Sequence, residues 1–517
     1  MNSAASSARD SETQNEPAGV LLDEPRDALS RAEVIQSSAL IHQLPTELLL
    51  RIFTLYVEDQ HEFIQLRRIA EPARKVDEAA PFTVSAVCRR WKAVAFSSTR
   101  LWARPVVYIH SNQQVALQEQ LLTQWVERSG DLPIDISILF YQLVTWDVHD
   151  SFKIILTVAP RLARLNLRAP PRLTSRLLKS LDGAPRLQGL QVSIADTHAG
   201  QQFHYRPPEV SLPQLPALKD LRIQNAVKWE NSAVDFPRLV VCHLEMAFGP
   251  YIREVLERAP VLQQLTVFLH NAFEVPPAPP TRHSYLKELT IEGVVGSTNM
   301  YLVLGHLLLP SLERLSFDSN GFAMSSNIGA VKPLIQRSQC SLKILNLGLP
   351  SCQTSAEEMV QLVESLPSLK HLSLGSRAYS SGRYKWITDE YFSRIIPELD
   401  VLCSREDSFL RQLDSLDLNV VVLGNPAFSW EGFSNFLKAF NSALMRSQEY
   451  DGSGISKDNP LSCRLHINLK LSYGEGLPAQ LLVHGIDPEL LDPHWSKYIS
   501  LKVLKHSILH YSARIRP

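Results

Sequence analysis

Cysteine is scarce in this chain and shows no pattern. In 517 residues there are six: Cys88, Cys242, Cys340, Cys352, Cys403 and Cys463. None forms a C-x-x-C pair, and no Cys/His cluster has zinc-site spacing. So few scattered thiols fit a reduced intracellular protein, cytoplasmic or nuclear, better than a disulfide-stapled secreted one. An excess of one charge is also missing. Lys and Arg number 52 against 53 Asp and Glu, a net charge of −1, so no strong overall field draws the chain to nucleic acid or to an anionic membrane. No apolar run reaches the roughly 18 residues of a membrane span. The Ser-, Ala-, Asp- and Glu-rich start lacks the basic region and apolar core of a secretory signal. Catalytic strings are lacking too: there is no H-E-x-x-H, G-x-S-x-G, Walker A or G-x-G-x-x-G, and the sixteen histidines are scattered. Neither cofactor, metal nor catalytic group is expected, and the chain reads as a non-enzyme.

What is present begins with 45% hydrophobic and 20% charged residues, the balance of a folded globular chain. The densest signal runs from Leu44 to Trp102. It reads Leu44-Pro45-Thr46-Glu47-Leu48-Leu49, then Ile52-Phe53, Val87-Cys88-Arg89-Arg90-Trp91 and Leu101-Trp102. Pro45 suits the first turn of a helix, where its missing N–H has no intrahelical partner. Glu47 suits the positive end of the helix dipole. Leu48, Ile52 and Leu55 form one stripe, widened by Leu49, Phe53 and Tyr56. A second helix is expected from about Phe82 to Phe96, with Val84, Val87, Cys88, Trp91 and Ala95 on its apolar face. Cys88 is expected to be a small core residue there. The charged stretch from Glu58 to Pro81 reads as a long connection between the two helices. Helices with such wide apolar faces need a third element or a partner to cover them.

These strings, L-P-x-E-L-L-x-x-I-F, V-C-R-x-W and L-W, resemble the F-box, and the long 58–81 connection resembles the F-box-like variant of fungal proteins. The resemblance covers about an eighth of the chain. It implies docking on the Skp adaptor of a cullin-RING (SCF-type) ubiquitin ligase through Leu44, Pro45, Leu48, Ile52, Phe53, Val87, Cys88, Trp91, Leu101 and Trp102, with Trp91 more structural than interfacial.

The second signal is an internal repeat, P-x-L-x-x-L-x-hydrophobic. It starts at Leu162/Leu165/Leu167 and recurs at Leu187/Leu190/Val192, Leu218/Leu221/Ile223, Leu239/Cys242/Leu244 and Leu262/Leu265/Val267. Four more copies stand at Leu286/Leu289/Ile291, Leu312/Leu315/Phe317, Leu342/Leu345/Leu347 and Leu369/Leu372/Leu374. The mean period is about 26 residues, inside the range of leucine-rich repeats. A weaker copy stands at Leu413/Leu416/Leu418. The last two apolar residues of each copy alternate with polar ones, as in a strand with one buried face. Helical spacing before Pro260 and Pro367 places a helix between strands, stopped by proline. The expected fold is an α/β solenoid of irregular leucine-rich repeats, with a parallel sheet on the concave face and helices on the convex face, preceded by a small all-α F-box module. The expected domains are a disordered tail (1–37), the helical module (38–108), the repeat domain (109–380) and degenerate repeats or a cap (381–517).

The repeat register nominates a concave face for a target protein: Arg164, Asn166, Arg168, Gln191, Arg222, Gln224, His243, Glu245, Gln264, Phe268, Glu288, Glu292, Arg314, Asp318, Asn346 and His371. The early rungs lean basic and the middle rungs acidic. Phe268 is the most informative of them, since a surface aromatic is a typical interface anchor. Pro276–Pro280 reads as a stiff loop, and Tyr450–Pro460 as a flexible one.

The expected function is a substrate-recognition adaptor of an SCF-type ligase, monomeric outside the complex, with the Skp adaptor and a target protein as partners and neither nucleic acid nor membrane. A ligase-independent repeat scaffold is the alternative, followed by an enzyme with an unrecognised site in the C-terminal region.

Overall fold

The computed structural model of the chain describes residues 43–66, 80–140, 151–194, 212–224, 236–247, 249–269, 280–294, 304–318, 328–348, 362, 365–376, 414–423, 464–472 and 499–506. They fall into two compact units that divide between Leu101 and Trp102.

The first unit is helical. It contains α1 (Thr46–Leu66), α2 (Ala80–Ala86) and α3 (Arg89–Ser97), all three packed on one another. The Leu48 and Leu49 amides both donate to the Pro45 carbonyl, opening α1 where proline allows it. Two sequence expectations change. Part of the expected 58–81 connection is helix, because α1 continues to Leu66. The single helix expected from Phe82 to Phe96 is two, broken at Val87–Cys88. Cys88 has extended backbone (φ −159°, ψ 170°), and its Sγ accepts the Trp91 N–H at 3.4 Å, so it caps α3. A cysteine in that role is not an ordinary cap, which is why spacing alone runs the helix through it. The remaining core is Leu49, Phe53, Val57, Val84, Val94 and Ala95.

The second unit is built on a fourteen-stranded sheet in which every neighbouring pair is parallel. Its strands are β1 (Val106–Ile109), β2 (Ile134–Phe140), β3 (Leu162–Ala169), β4 (Gly189–Ile194), β5 (Asp220–Gln224), β6 (Val241–Ala247) and β7 (Gln264–Leu269). They continue with β9 (Glu288–Val294), β11 (Arg314–Asp318), β12 (Ile344–Gly348), β13 (His371–Ser376), β14 (Ser415–Leu423), β15 (Arg464–Ser472) and β16 (Ile499–His506). Two short strands, β8 (Thr281–Arg282) and β10 (Leu307–Leu308), pair separately. The strands follow sequence order throughout. Each rung therefore contacts only its neighbours, the arrangement of a solenoid.

The repeat leucines explain the order. Leu165, Leu190, Leu221, Cys242, Leu265, Leu289, Leu315, Leu345 and Leu372 share one register line, and each is buried. Every such side chain contributes about 1.5–3 kcal/mol of burial. Cys242 occupies a leucine place, and burial pushes its thiol up. The turn before each strand repeats a backbone device. The carbonyls of Gln188, Lys219, Val240, Gln263, Lys287, Glu313, Lys343 and Lys370 each accept two N–H groups from the next rung. A parallel sheet normally has both faces covered and reads as continuous apolar runs. Here polar residues alternate with the leucines, so one face is buried and the other is open.

Helices α4 (Val115–Arg128), α5 (Ile154–Val158), α6 (Pro171–Lys179), α7 (Gly249–Arg258) and α8 (Ile328–Ser338) lie between strands, with α4 against β1 and α6 against β3 and β4. The α4 end turns through Gly130 at φ +57°, the left-handed position that favours glycine. Arg161 then locks it, donating to the carbonyls of Val126 (2.8 Å), Leu132 (3.2 Å) and Gly130 and to Ser129 Oγ (2.9 Å). Strands β1 and β2 precede the first leucine copy, inside or ahead of where the repeats were expected to begin. Strands β14 to β16 carry the sheet on to His506, with Leu416 and Leu418 in register with Leu372 and Leu374. The helix expected just before Pro367 lies largely outside the described residues, as do the 1–37 tail, Pro276–Pro279 and Tyr450–Pro460.

Candidate functional site

Two surfaces hold the residues singled out from the sequence. The first is on the helical unit. Helix α1 has two apolar stripes that point in different directions. Leu49, Phe53 and Val57 are turned inward, and Phe53 is 0% exposed. Leu48, Ile52 and Leu55 lie at i, i+4 and i+7 on one helix side and remain 51%, 45% and 49% exposed. Val87, at the α2–α3 break, is 57% exposed, and Phe96 is also open. Five large apolar side chains on so small a unit depart from ordinary surface practice, where single exposed residues need no explanation but groups of them mark contact sites.

The expected docking set therefore divides. Leu48, Ile52, Val87 and Pro45 are exposed, while Leu44, Cys88 and Trp91 are half-buried. Phe53, Leu101 and Trp102 are all buried within the chain. Trp102 lies in the second unit, edge-on to Trp125 (centroids 6.3 Å, planes at 69°), with the Arg128 guanidinium 4.7 Å from its ring. The boundary between the two units thus falls inside the L-W pair. Trp91 tilts against Phe53 at 4.9 Å, with planes at 58°. Arg90 donates to the Leu44 carbonyl, tying α3 to the start of α1. Leu55 and Phe96 were not in the expected docking set. The spacing of Leu55 from Leu48 and Ile52 is the sequence signal that places it on their stripe.

The second surface is the open face of the sheet. The outward residues of each strand fall on three register rows. The first holds Asp135, Arg164, Gly189, Asp220, Val241, Gln264, Glu288, Arg314, Ile344 and His371. Next to it run Ser137, Asn166, Gln191, Arg222, His243, Thr266, Thr290, Ser316, Asn346 and Ser373. Arg168, Ser193 and Gln224 begin the third row; Phe268, Glu292 and Asp318 continue it across β7, β9 and β11. Every expected concave-face residue occupies one of these outward positions or, for Glu245, the position following Leu244. Arg164, Arg222 and Gln264 are exposed. Asn166, Arg168, Gln191, Gln224, His243, Glu245, Phe268, Glu288, Glu292, Arg314, Asn346 and His371 are half-buried.

Charge on this face is partly cancelled by two residues the sequence reading left out. Asp135 stands next to Arg164 in register and 3.9 Å from Arg104. Burial pushes its carboxyl up, and the two arginines pull it back only in part. Asp220 accepts from Arg222 at 3.2 and 3.3 Å. The Arg164 side chain lies over Gly189, where a Cβ would come within 3.1 Å of it. The early rungs are thus less basic than their arginines suggest. In the middle, Arg314 Nη1 meets Glu288 Oε1 at 2.6 Å, and His243 Nε2 stands 3.7 Å from Glu245. Asn346 donates to Ser316 at 2.9 Å, and His371 shares a hydrogen bond with Ser415 at 2.9 Å. Among the described residues no group of three or more His, Cys, Asp and Glu could hold a metal ion, and no helix is long and apolar enough to cross a membrane.

Comparison with known proteins bears on the first surface. A family described as F-box-like matches residues 41–108, the span that contains α1, α2 and α3. No curated protein matches the chain. Among solved structures, a protein from Bacteroides fragilis is similar at 15% identity, over 62% of this chain and 67% of that one, with a TM-score of 0.25.

Proposed function

We propose that this chain is a substrate receptor of an SCF-type ubiquitin ligase. The F-box-like segment would dock on the Skp adaptor, and the sheet unit, read as irregular leucine-rich repeats of about 26 residues, would hold a target protein. One observation carries this reading. Within the F-box-like segment, Leu48, Ile52 and Leu55 form an exposed apolar stripe while the adjoining stripe of the same helix is buried. A helix that only capped the next unit would turn its apolar residues inward.

Association through such a stripe is driven by removing apolar area from water, at about 25 cal/mol per Å² before the costs of association. The chain's own contribution to ubiquitin transfer is proximity: a target held beside the charged carrier reacts at a raised effective concentration. This role needs no catalytic side chain. It places the protein in the cytoplasm or nucleus, where Cys88, Cys242 and Cys340 stay reduced. Purified adaptor, immobilised and exposed to the full chain, should retain it. Failure of a folded chain to bind would leave the ligase-independent scaffold as the better reading.

A further inference from the structure

The reading above leaves open what the sheet unit takes as a target, and the charge along one edge of its sheet narrows the chemistry. The strands are parallel and follow sequence order, so the turns that lead into them lie along the same edge. Each turn buries one leucine: Leu187, Leu218, Leu239, Leu262 and Leu286 lead into β4, β5, β6, β7 and β9. The residues just before and just after that leucine are left at the surface. Among them Arg186, Lys219, Arg238 and Lys287 are all exposed. The β7 turn carries Val261 and Gln263 at these places and adds no charge. Four cations thus line one stretch of edge in a chain whose net charge is −1.

None of the four side chains has an ion pair or a hydrogen bond among the described residues. The carboxylates nearest in sequence are engaged elsewhere. Asp182 accepts the Gln214 N–H at 2.8 Å, Asp220 is held by Arg222, and Glu288 by Arg314. Farther along the same edge the lysines are paired: Lys343 with Glu313 at 3.1 Å and Lys370 with Asp414 at 3.9 Å. On the other side of the stretch, Arg161 is spent on the carbonyls at the end of α4. The uncompensated charge is therefore confined to the rungs from β4 to β9. A local field of one sign draws and concentrates a partner of the opposite sign.

The length of the stretch suits a short peptide. Backbone hydrogen bonds link each turn to the next, from Gln188 through Lys219, Val240 and Gln263 to Lys287. Four steps between neighbouring strands, at about 4.8 Å each, span about 19 Å, which an extended segment of about six residues covers. Its alternate side chains fall on one side about 6.6 Å apart, within the sweep of long lysine and arginine side chains. A single nucleic-acid strand fits less well, because its binders stack successive bases on several aromatic rings. Beside this stretch Tyr285 is the one exposed aromatic among the described residues.

Resting on the receptor reading, we infer that the edge from Arg186 to Lys287 holds an extended acidic segment of the target protein. Arg186 and Arg238 take carboxylates with their planar forks, and Lys219 and Lys287 act as point charges.

The test uses the full chain and a short fluorescent peptide alternating glutamate and serine, read by polarisation. A lysine–serine peptide and an oligothymidylate of equal charge are its counterparts. The glutamate peptide binds, the oligothymidylate binds more weakly, and the lysine peptide does not bind. Salt at about 0.5 M weakens the glutamate peptide at least about tenfold relative to about 0.05 M, since the charges are exposed and screened. The double substitution Lys219→Glu with Arg238→Glu weakens it at least about tenfold. Arg172→Glu with Arg253→Glu, on exposed positions of α6 and α7, makes the same change in net charge and costs less than about twofold. Thermal unfolding of each variant is measured alongside, and Lys219→Gln with Arg238→Gln serves if the glutamate pair weakens the fold. The inference is overturned if the folded chain ignores the glutamate peptide or prefers the oligothymidylate. It is equally overturned if the edge variant binds as before or the helix variant loses as much. Adaptor retention by the same preparations is scored separately. Retention without peptide binding sinks this inference and leaves the receptor reading standing; peptide binding without retention does the reverse.

Discussion

Phe53 and Trp91 meet at 4.9 Å, and this pair holds α1 to α3. Trp91→Ala is expected to cost about 3–5 kcal/mol, the range for deleting a packed aromatic. In a unit of three short helices that is most of the available stability. Amide exchange in α1 and α3 should then rise towards unfolded rates while β3 to β13 stay protected. Retained protection in α1 would show that the pair is dispensable. A second residue-scale prediction concerns Asp135. Burial raises its pKa above the ordinary value of 3.8, so the folded state binds the proton more tightly than the unfolded state does. The favourable contribution is full below the ordinary value and is lost as pH rises through the folded one. Asp135→Asn mimics the protonated form. It should therefore raise the unfolding temperature of the sheet unit at neutral pH and change it little in acid; a loss of stability at neutral pH would mean that the pairing with Arg164 and Arg104 outweighs burial. At this scale the sequence was only partly readable. Spacing placed Leu48, Ile52 and Leu55 on one stripe, but not which of α1's two stripes faces outward, because that depends on where α2 and α3 pack. Asp135 faces Arg164 from a neighbouring rung that carries no leucine copy, so its pairing is not legible in the repeat, whereas Asp220 pairs with Arg222 two residues on in its own strand.

Among elements, the contrast between β2 and β3 is instructive. Strand β3 was legible through its leucines. Strand β2 carries Ile134, Ile136 and Ile138 inward, an alternation as strand-like as any in the chain, yet it lacks the leucine pattern and so escaped a search for repeats. The α2–α3 break was illegible for another reason: its cap is a thiol, a weak acceptor that no sequence rule favours. Arg161 joins elements far apart in sequence. It closes the end of α4 with four hydrogen bonds, and burial lowers its pKa while Asp131 raises it in part. Arg161→Met keeps the apolar stem and removes the donors. The expected cost is about 1.5–3 kcal/mol, the worth of hydrogen bonds to a charged group. Faster exchange of the last α4 amides and a shift in Trp125 fluorescence should report it. If both stay as in the parent chain, the α4 end is held by Gly130 and Ser129 alone.

For the whole molecule, strand order was legible because a solenoid is assembled from neighbours: a copy in sequence is a rung in space. The same logic explains why the sheet outlasts the recognisable repeat. Strands β14 to β16 keep the register of the strand before, Leu416 beside Leu465 and Leu465 beside Ile499, without the spacing of the earlier copies. The proposed receptor role draws on two features of the chain: a helical unit with an exposed apolar stripe and a long parallel sheet with an open face.

The docking surface bears the central claim. Titration calorimetry of purified Skp adaptor into the full chain, and into the chain with Leu48→Glu and Ile52→Glu, tests it most directly. Both substitutions lie on exposed positions, so the fold should be intact by amide exchange. The account predicts one-to-one binding by the parent chain and a loss of at least about a hundredfold in the variant, the order expected when two central apolar contacts are replaced by unpaired charge. Equal binding by parent and variant, or no binding by the folded parent, would contradict it.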